Sequence, residues 1–190
     1  MYAAICKAVQ DVWIIIGIVW AIGYLFSSRA KRRESIPSRL LQVAITVPAF
    51  VLVFAMPVHG GYLSRRFLPP TPAAAWSGLA MVLTGAGVAV AARLALGRNW
   101  SGTVTVKYGH TLVRSGPYAI VRHPIYSGVL LGLLGTAISF GRVQCLFGAA
   151  LATVGFWQKW RIEERFMTDQ FGAQYDEYRR NVRALIPYIW

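Results

Sequence analysis

The chain has 190 residues, of which 56% are hydrophobic and only 14% charged, and its formal net charge is +13 at pH 7. A soluble domain of this size carries about 25% charged residues, so the composition excludes an ordinary soluble globular protein and indicates an integral membrane protein. No Asp or Glu lies between residues 35 and 162. The length is enough for a single membrane domain, residues 1–190.

Five apolar stretches, near residues 10–27, 40–59, 76–96, 124–141 and 143–160, approach the roughly 20 residues that a spanning helix needs. We therefore predict an all-α fold, an integral membrane bundle of about five transmembrane helices. Only Gly141 and Arg142 separate the last two stretches, which predicts a tight antiparallel hairpin. The first stretch is not followed by a small-residue cleavage site, which favours a retained helix over a signal peptide.

Basic residues concentrate in segments that would share one side of the membrane. Residues 27–39 contain five Lys or Arg and one Glu, and the connection 97–123 and the tail after residue 159 are also basic. The positive-inside rule then places the N-terminus outside and the C-terminus in the cytoplasm, in a plasma membrane of bacterial or archaeal type. The charge indicates contact with anionic membrane lipids and not with nucleic acid, because no soluble face interleaves basic and aromatic residues.

The two halves of the chain differ in character. Residues 1–96 read as a helical scaffold of three spans, whereas residues 97–190 carry a long loop, the helical hairpin and an amphipathic C-terminal tail. A connection as long as 97–123 is uncommon unless it is functional or disordered, and its aromatic and β-branched residues argue against disorder. We expect it to fold over the cytoplasmic end, and we expect Gly172 to divide the tail into two helices.

Small residues on the fourth and fifth helices indicate close helix packing. Gly128 and Gly132 form a small-xxx-small pattern, and Gly148 and Gly155 on the fifth helix are expected to face them. The two cysteines in the chain lack the spacing of a metal-binding or redox pair, and no metal site is predicted.

The fourth helix begins with polar groups at the membrane surface. His123 precedes Pro124, and Pro favours the first position of a helix, so free backbone N–H groups and the positive end of the helix dipole would form an anion site there. Arg122 adds donors, and Tyr126 lies on the first turn. The alternative for Arg122 and Tyr126 is interfacial anchoring, which is common for both residue types.

Two acids follow the fifth span directly. Glu163 and Glu164 are the first acidic residues after Glu34, and Lys159 shares a helix face with Glu163 at i, i+4 spacing. Ionisable residues at such positions are expensive and often functional. The alternative is a set of surface ion pairs with Arg161, which would contribute little to stability.

The second half of the chain contains three motifs in a fixed order. The run GHTLVRSGPYAIVRHPIYSG, the glutamate pair and the run FGAQYDEYRRNVRALIP lie in this order within residues 97–190. Together they resemble the isoprenylcysteine carboxyl methyltransferase family, which is related to the membrane phospholipid N-methyltransferases. The resemblance implies a membrane methyltransferase with a cytoplasmic cofactor site for S-adenosyl-L-methionine. The cofactor-binding residues that the resemblance implies are His110, Thr111, Leu112, Val113, Tyr118, His123, Pro124, Ile125, Tyr126 and Glu163. Arg122 is added to this set because it directly precedes His123 at the start of the fourth helix.

The resemblance also implies a basic residue that contacts the carboxylate of the methyl acceptor. Lys159 stands where the family has arginine, and Arg161 follows two residues later and could substitute for it. Lysine is a point charge and cannot form the bidentate fork that arginine makes with a carboxylate. The candidate catalytic residues are therefore Lys159, Arg161 and Glu164. If the acceptor is an amine, Glu163 or Glu164 would be the base that removes its proton.

Three functional hypotheses follow. The first is methyl transfer to the carboxylate of a lipidated, isoprenylcysteine-like acceptor or another lipophilic small molecule. The second is N-methylation of a phospholipid amine, which the Lys at position 159 favours. The third is a non-catalytic membrane protein that binds lipid or a small molecule. The sequence leaves the oligomeric state open.

Overall fold

The computed structural model describes residues 1–26, 30–54, 60–101, 103, 105–107 and 111–187, without the side chains of residues 30–33 and 106–107. Helices dominate it, which confirms the predicted all-α membrane fold. In chain order the elements are α1 (Tyr2–Leu25), β1 (Ala30–Arg33), α2 (Ile36–Phe54), α3 (Pro72–Leu96), β2 (Thr105–Lys107), α4 (Pro124–Phe140), α5 (Val143–Phe171) and α6 (Ala173–Asn181), with 3-10 turns at Tyr62–Ser64, Gly97–Asn99 and Gly116–Ala119.

Three of the described helices are long and apolar enough to cross a membrane: α1, α2, and α3 with the turn that follows it. The fourth helix is apolar but has only 17 residues, and the fourth and fifth spans stay predictions. The fifth helix begins where predicted and then runs for 29 residues without a break after residue 160. It ends at Gly172, whose φ of 51° suits glycine, so the predicted break before α6 is found.

Helices α3 and α4 pack with their backbones in contact through pairs of glycines. A Cβ added to Gly128 would lie 2.5 Å from the carbonyl oxygen of Gly85, and one added to Gly135 would lie 2.6 Å from that of Gly78. Real side chains do not tolerate these distances, so the glycines are required for this approach, as in other closely packed membrane helices.

The expected glycine contact between α4 and α5 is wrong. A Cβ on Gly148 would meet the carbonyl oxygen of Ala49 at 2.7 Å, and one on Gly155 would meet Cγ2 of Ile45 at 3.1 Å. The small residues of α5 therefore pack against α2. On α4, Gly128 and Gly135 pack against α3, whereas a Cβ on Gly132 would meet the Trp13 ring of α1 at 3.0 Å. Spacing alone shows that a helix has a close-packing face but not which neighbour occupies it.

The connections at one end of the bundle are tied together. Strands β1 and β2 pair antiparallel, with Arg33 opposite Thr105, and so join the segment after α1 to the segment after α3. Nearby, the rings of Trp20 and Trp100 meet edge to face at 6.4 Å, and the guanidinium of Arg93 lies 4.2 Å from the centre of the Trp100 ring. This small ribbon was not predicted, because its two strands are short and far apart in the chain.

The C-terminal tail packs against the start of α4. The backbone N–H of Arg122 donates to the carbonyl of Arg183 at 2.8 Å, and that of His123 donates to the carbonyl of Ala184 at 2.9 Å. The Ser127 hydroxyl donates to the carbonyl of Leu185 at 2.6 Å. The tail therefore already accepts the backbone hydrogen bonds of residues 122 and 123, whereas the anion site expected at the first turn of α4 stays a prediction.

Candidate functional site

A cavity of about 490 Å³ opens where the loop after α3, the start of α4, the middle of α5 and helix α6 meet. Its size is typical of a small-molecule site. It brings together most of the residues that the sequence singled out, although they lie up to about 50 positions apart. Those that line it are Thr111, Leu112, Val113, Tyr118, Arg122, His123, Ile125, Tyr126, Lys159 and Glu163.

A buried histidine stands between the two glutamates. His123 is 8% exposed, with Nδ1 3.6 Å from Oε2 of Glu163 and Nε2 3.2 Å from Oε1 of Glu164. The Tyr126 hydroxyl donates to Oε1 of Glu163 at 2.5 Å. The carboxylate of Glu163 is thus held by two groups from the start of α4 while it still lines the cavity.

Glu164 belongs to a clamp behind the cavity. Nε and Nη2 of Arg122 donate to its Oε1 at 2.8 and 2.6 Å, and Nη1 of Arg122 donates to the carbonyl of Val182 at 2.5 Å. Burial raises the pKa of Glu164, but the hydrogen bond with His123 and the charges of His123 and Arg122 outweigh burial and hold this pKa below its ordinary value. Glu164 is not among the described residues that line the cavity.

The two basic candidates on α5 point in different directions. Lys159 lines the cavity, and its Nζ lies 5.6 Å from the centre of the Tyr126 ring. Arg161 is exposed, and its guanidinium lies 5.0 Å from the centre of the Trp157 ring. In the part of the chain that the structure describes, Arg161 is not a lining residue.

Two further candidates, Pro124 and His110, are not among the described residues that line the cavity. Pro124 is fully buried and occupies the first turn of α4, where it is not among the described lining residues. His110 falls outside the described residues. The roles of all these residues stay predictions.

Stacked aromatic rings hold this part of the cavity in shape. The rings of His123 and Tyr126 stack at 5.5 Å with an interplanar angle of 11°, and Tyr126 stacks on Phe156 at 4.9 Å. Trp160 also stacks on the His123 ring, with centroids 6.1 Å apart. Because these rings come from both α4 and α5, they fix the separation of the two helices at the polar end.

Three phenols add neutral polar groups to the wall. Burial raises the pKa of Tyr118 and of Tyr175 well above the ordinary value, with the charges of Glu163 and Glu164 respectively as the next causes. Burial also raises the pKa of Tyr178, to about 12, and its hydroxyl donates to the carbonyl of Tyr118 at 2.6 Å. All three stay protonated at neutral pH.

The cavity continues as an apolar arm between α1 and α2, where the sequence indicated only scaffold. Trp13 is fixed there by a 2.9 Å hydrogen bond from Nε1 to Oγ1 of Thr136 and by an edge-to-face contact with Phe50 at 6.1 Å. The view of residues 1–96 as pure scaffold is therefore incomplete. The residues that line this arm are Trp13, Ile16, Gly17, Trp20, Thr46, Phe50, Val129 and Phe156.

A polar wall made by the loop after α3 was not predicted from the sequence. Ser101, Thr103 and Thr105 line the cavity at alternate positions, and this alternation of hydroxyl residues was a signal that could have found them. Outside this row, the other missed lining residues are Leu96, Asn99, Trp100, Met167, Tyr175 and Tyr178.

The central part of the chain is similar to known membrane methyltransferases. A family model described as "Phospholipid methyltransferase" matches residues 73–174, which include α3, α4 and α5. The chain is 32% identical over 115 residues to protein-S-isoprenylcysteine O-methyltransferase A of Arabidopsis thaliana, covering 59% of this chain and 58% of that protein.

Two animal proteins give similar matches. The chain is 36% identical over 115 residues to the protein-S-isoprenylcysteine O-methyltransferase of Xenopus laevis, covering 59% of this chain and 40% of that protein. It is 32% identical over 133 residues to the Homo sapiens protein of the same name, covering 67% and 47%. The matched region thus spans about half the length of these relatives.

Proposed function

Since this chain belongs to the phospholipid methyltransferase family and is similar to isoprenylcysteine O-methyltransferases, we propose that it methylates the carboxylate of a lipidated, isoprenylcysteine-like acceptor with S-adenosyl-L-methionine as the methyl donor. The family membership confirms the resemblance predicted from the motifs in residues 97–190. The observation that carries the proposed reaction is one continuous cavity with a charged end on α4 and α5 and an apolar arm between α1 and α2.

The described residues fit S-adenosyl-L-methionine by their chemistry. When bound, this donor supplies an electrophilic methyl group on a sulfonium sulfur. Its ammonium group suits the carboxylate of Glu163, which is 24% exposed and oriented by Tyr126 and His123. The neutral phenols and the stretch Thr111, Leu112 and Val113 offer polar and apolar walls for the adenosyl group. The backbone N–H of His123 is occupied by Ala184, whereas its Nδ1 lies 3.6 Å from Oε2 of Glu163, so the His123 side chain is assigned to positioning Glu163.

The acceptor is assigned to the other half of the cavity. An isoprenoid or acyl tail suits the arm lined by Trp13, Gly17 and Phe50, and Lys159 offers a positive charge to the acceptor carboxylate where the arm meets the charged end. Arg161 is turned away onto Trp157, so we assign the acceptor contact to Lys159. A carboxylate is already ionised at neutral pH, so the protein contributes mainly by placing both reactants in line.

Methylation of a phospholipid amine is the second candidate, and the description of the matching family model and the presence of Lys159 favour it. An amine must lose its proton, which requires a base with a pKa near the working pH. Glu164 is a poor base because Arg122 and His123 keep its pKa below the ordinary value. Since Glu163 also receives the Tyr126 hydrogen bond, the carboxylate acceptor is the better fit.

We further propose that the polar end faces the cytoplasm of a bacterial- or archaeal-type cell, with the N-terminus outside. Support comes from the five Lys or Arg of residues 27–39, which lie in the connection after α1 and in the first turn of α2, and from the pairing of β1 with β2 on the side of the cavity. Soluble S-adenosyl-L-methionine would then enter from the cytosol, and the lipid acceptor from the membrane through the apolar arm.

A methyl-transfer assay in detergent tests these assignments. The purified protein is given radiolabelled S-adenosyl-L-methionine with a farnesylated cysteine analogue or with phosphatidylethanolamine. A base-labile product supports the carboxyl ester, and a base-stable lipid product supports the amine. If calorimetry detects no binding of S-adenosyl-L-methionine, both enzyme functions are contradicted and the non-catalytic binder is favoured.

A further inference from the structure

Three residues with hydroxyl side chains line the cavity in the loop after α3. Ser101, Thr103 and Thr105 occupy every second position and all line it. Thr105 begins β2, which is held in place by its pairing with β1. This hydroxyl row, defined by these three residues, carries no charge, in contrast to the wall of Glu163 and Lys159.

Thr105 is the most buried of the three residues. It is 8% exposed, and its Oγ1 is buried with no hydrogen-bond partner among the described residues. Buried polar atoms without partners are rare in folded proteins and cost free energy. Because Thr105 itself lines the cavity, its unpaired hydroxyl is a candidate to bond a ligand that fills this part of the cavity.

The position of the row indicates which ligand it contacts. Its first member follows Trp100, whose ring meets Trp20 of the apolar arm at 6.4 Å. Its last member lies on β2, which packs against α5, the helix that carries Lys159. The row therefore runs from the apolar arm to the charged end, alongside the region where an acceptor would change from a lipid tail to a polar head.

We propose that Thr105 is a specificity-determining residue whose hydroxyl donates a hydrogen bond to the carboxyl-bearing head of the lipidated acceptor. This inference rests on the proposed function, because it takes the apolar arm as the site of the acceptor tail. The methyl donor keeps its own contacts at Glu163 and the phenols. Thr105 thus distinguishes an acceptor with an oxygen-rich polar head from a plain isoprenoid of equal length.

The test compares Thr105→Val, Thr105→Ser and, as a matched control, Thr84→Val. Thr84 lies on α3, its hydroxyl donates to the carbonyl of Ala80 at 2.9 Å, and it is not a described lining residue. Three quantities are measured on the full-length protein in detergent: KM for a farnesylated cysteine analogue, Kd for S-adenosyl-L-methionine by calorimetry, and Tm without ligand.

Thr105→Val is expected to raise the acceptor KM about two- to tenfold, the effect of one hydrogen bond, with the donor Kd unchanged. It should also raise the ligand-free Tm, because valine has a similar shape and removes an unpaired buried hydroxyl. Thr105→Ser should keep the wild-type KM, and Thr84→Val should change neither constant.

Each other outcome overturns the inference in a distinguishable way. A lower Tm with unchanged KM means that the hydroxyl serves the fold. A higher donor Kd with unchanged acceptor KM moves the contact to the methyl donor. An active wild type with an unaltered Thr105→Val variant contradicts this inference alone, whereas a wild type without methyl transfer to the analogue contradicts the proposed function as well.

Discussion

The hydroxyl of Tyr126 on α4 donates a 2.5 Å hydrogen bond to Oε1 of Glu163 on α5. The two residues are 37 positions apart, and they meet because α4 and α5 return as a hairpin through Gly141, whose backbone is left-handed with φ of 63°. The contact fixes a carboxylate at the cavity wall, so the charge that a cationic ligand would meet is oriented before binding.

Glu163→Gln is expected to weaken binding of S-adenosyl-L-methionine about 10- to 100-fold, because it replaces a charged partner of the donor's ammonium with a neutral amide. Tyr126→Phe should weaken it less, about two- to tenfold, since the carboxylate remains but is no longer oriented. Calorimetry on the detergent-solubilised protein measures both. Equal affinity in wild type and Glu163→Gln would remove Glu163 from the donor site.

Lys159→Ala should raise the acceptor KM about tenfold and leave the donor Kd unchanged, because Lys159 is assigned to the acceptor carboxylate. Lys159→Arg should retain acceptor binding or improve it, since guanidinium can bind a carboxylate through two parallel hydrogen bonds. Arg161→Ala is the matched control: it removes a neighbouring cation that lies over Trp157. A larger effect at Arg161 than at Lys159 would reverse the assignment.

Arg122→Met is expected to lower the free energy of unfolding by about 3 kcal/mol, because it removes the arginine partner of Glu164 from a largely buried ion pair whose side chains are 11% and 14% exposed. The exposed pair of Arg114 and Glu177, at 38% and 59%, provides the control, and Arg114→Met should cost less than about 1 kcal/mol. Thermal unfolding in one detergent measures both variants.

The same ion pair predicts a pH dependence. The folded-state pKa of Glu164 lies below its unfolded value of 4.5, so the ionised form stabilises the fold above that pH and this stability is lost as the pH falls through the folded pKa. The Tm difference between wild type and Glu164→Gln should therefore be constant near pH 7 and shrink below about pH 4.5. A difference that grows on acidification would contradict this account.

The parts of the site that follow one another along the chain could be predicted from the sequence. Pro124 marks the start of α4, and the first acids after a long uncharged stretch mark the end of the lipid-embedded region, so His123, Tyr126 and Glu163 were recognisable. The all-α fold and the family resemblance, which are both confirmed, could be predicted because they too depend on local sequence signals. Local signals of this kind depend only on helix geometry and on the cost of charge in lipid.

Contacts between distant segments could not be predicted. The apolar residues of α1 indicate a spanning helix whichever neighbour it packs against, so Trp13 and Gly17 gave no sign that they border a cavity. The burial of Thr105 depends on the pairing of β1 with β2, two short strands about 70 positions apart. Glycine spacing showed that α4 packs closely, but only the structure identifies α3 as its partner.

Gly128→Ala should destabilise the protein by about 1–3 kcal/mol, as overpacking does in well-packed interiors. The added Cβ would lie 2.5 Å from the Gly85 carbonyl oxygen, a backbone atom that cannot move without separating α3 from α4. Gly87→Ala, on α3 with nothing within 4 Å of its added Cβ, should be neutral or slightly stabilising. Thermal unfolding compares the two, and similar Tm values would refute the tight α3–α4 contact.

Gly17→Leu tests whether the apolar arm holds the acceptor tail. Gly17 lines the cavity, and a Cβ placed on it would meet no atom within 4 Å, so a leucine side chain can enter the arm without disturbing the helix. We expect an acceptor KM that rises at least tenfold for a farnesylated analogue and less for one with a shorter chain, with the donor Kd unchanged. Gly87→Leu, also in open space on a membrane helix but not a described lining residue, should leave both constants at wild-type values. If tail length makes no difference to the effect of Gly17→Leu, the acceptor tail lies elsewhere.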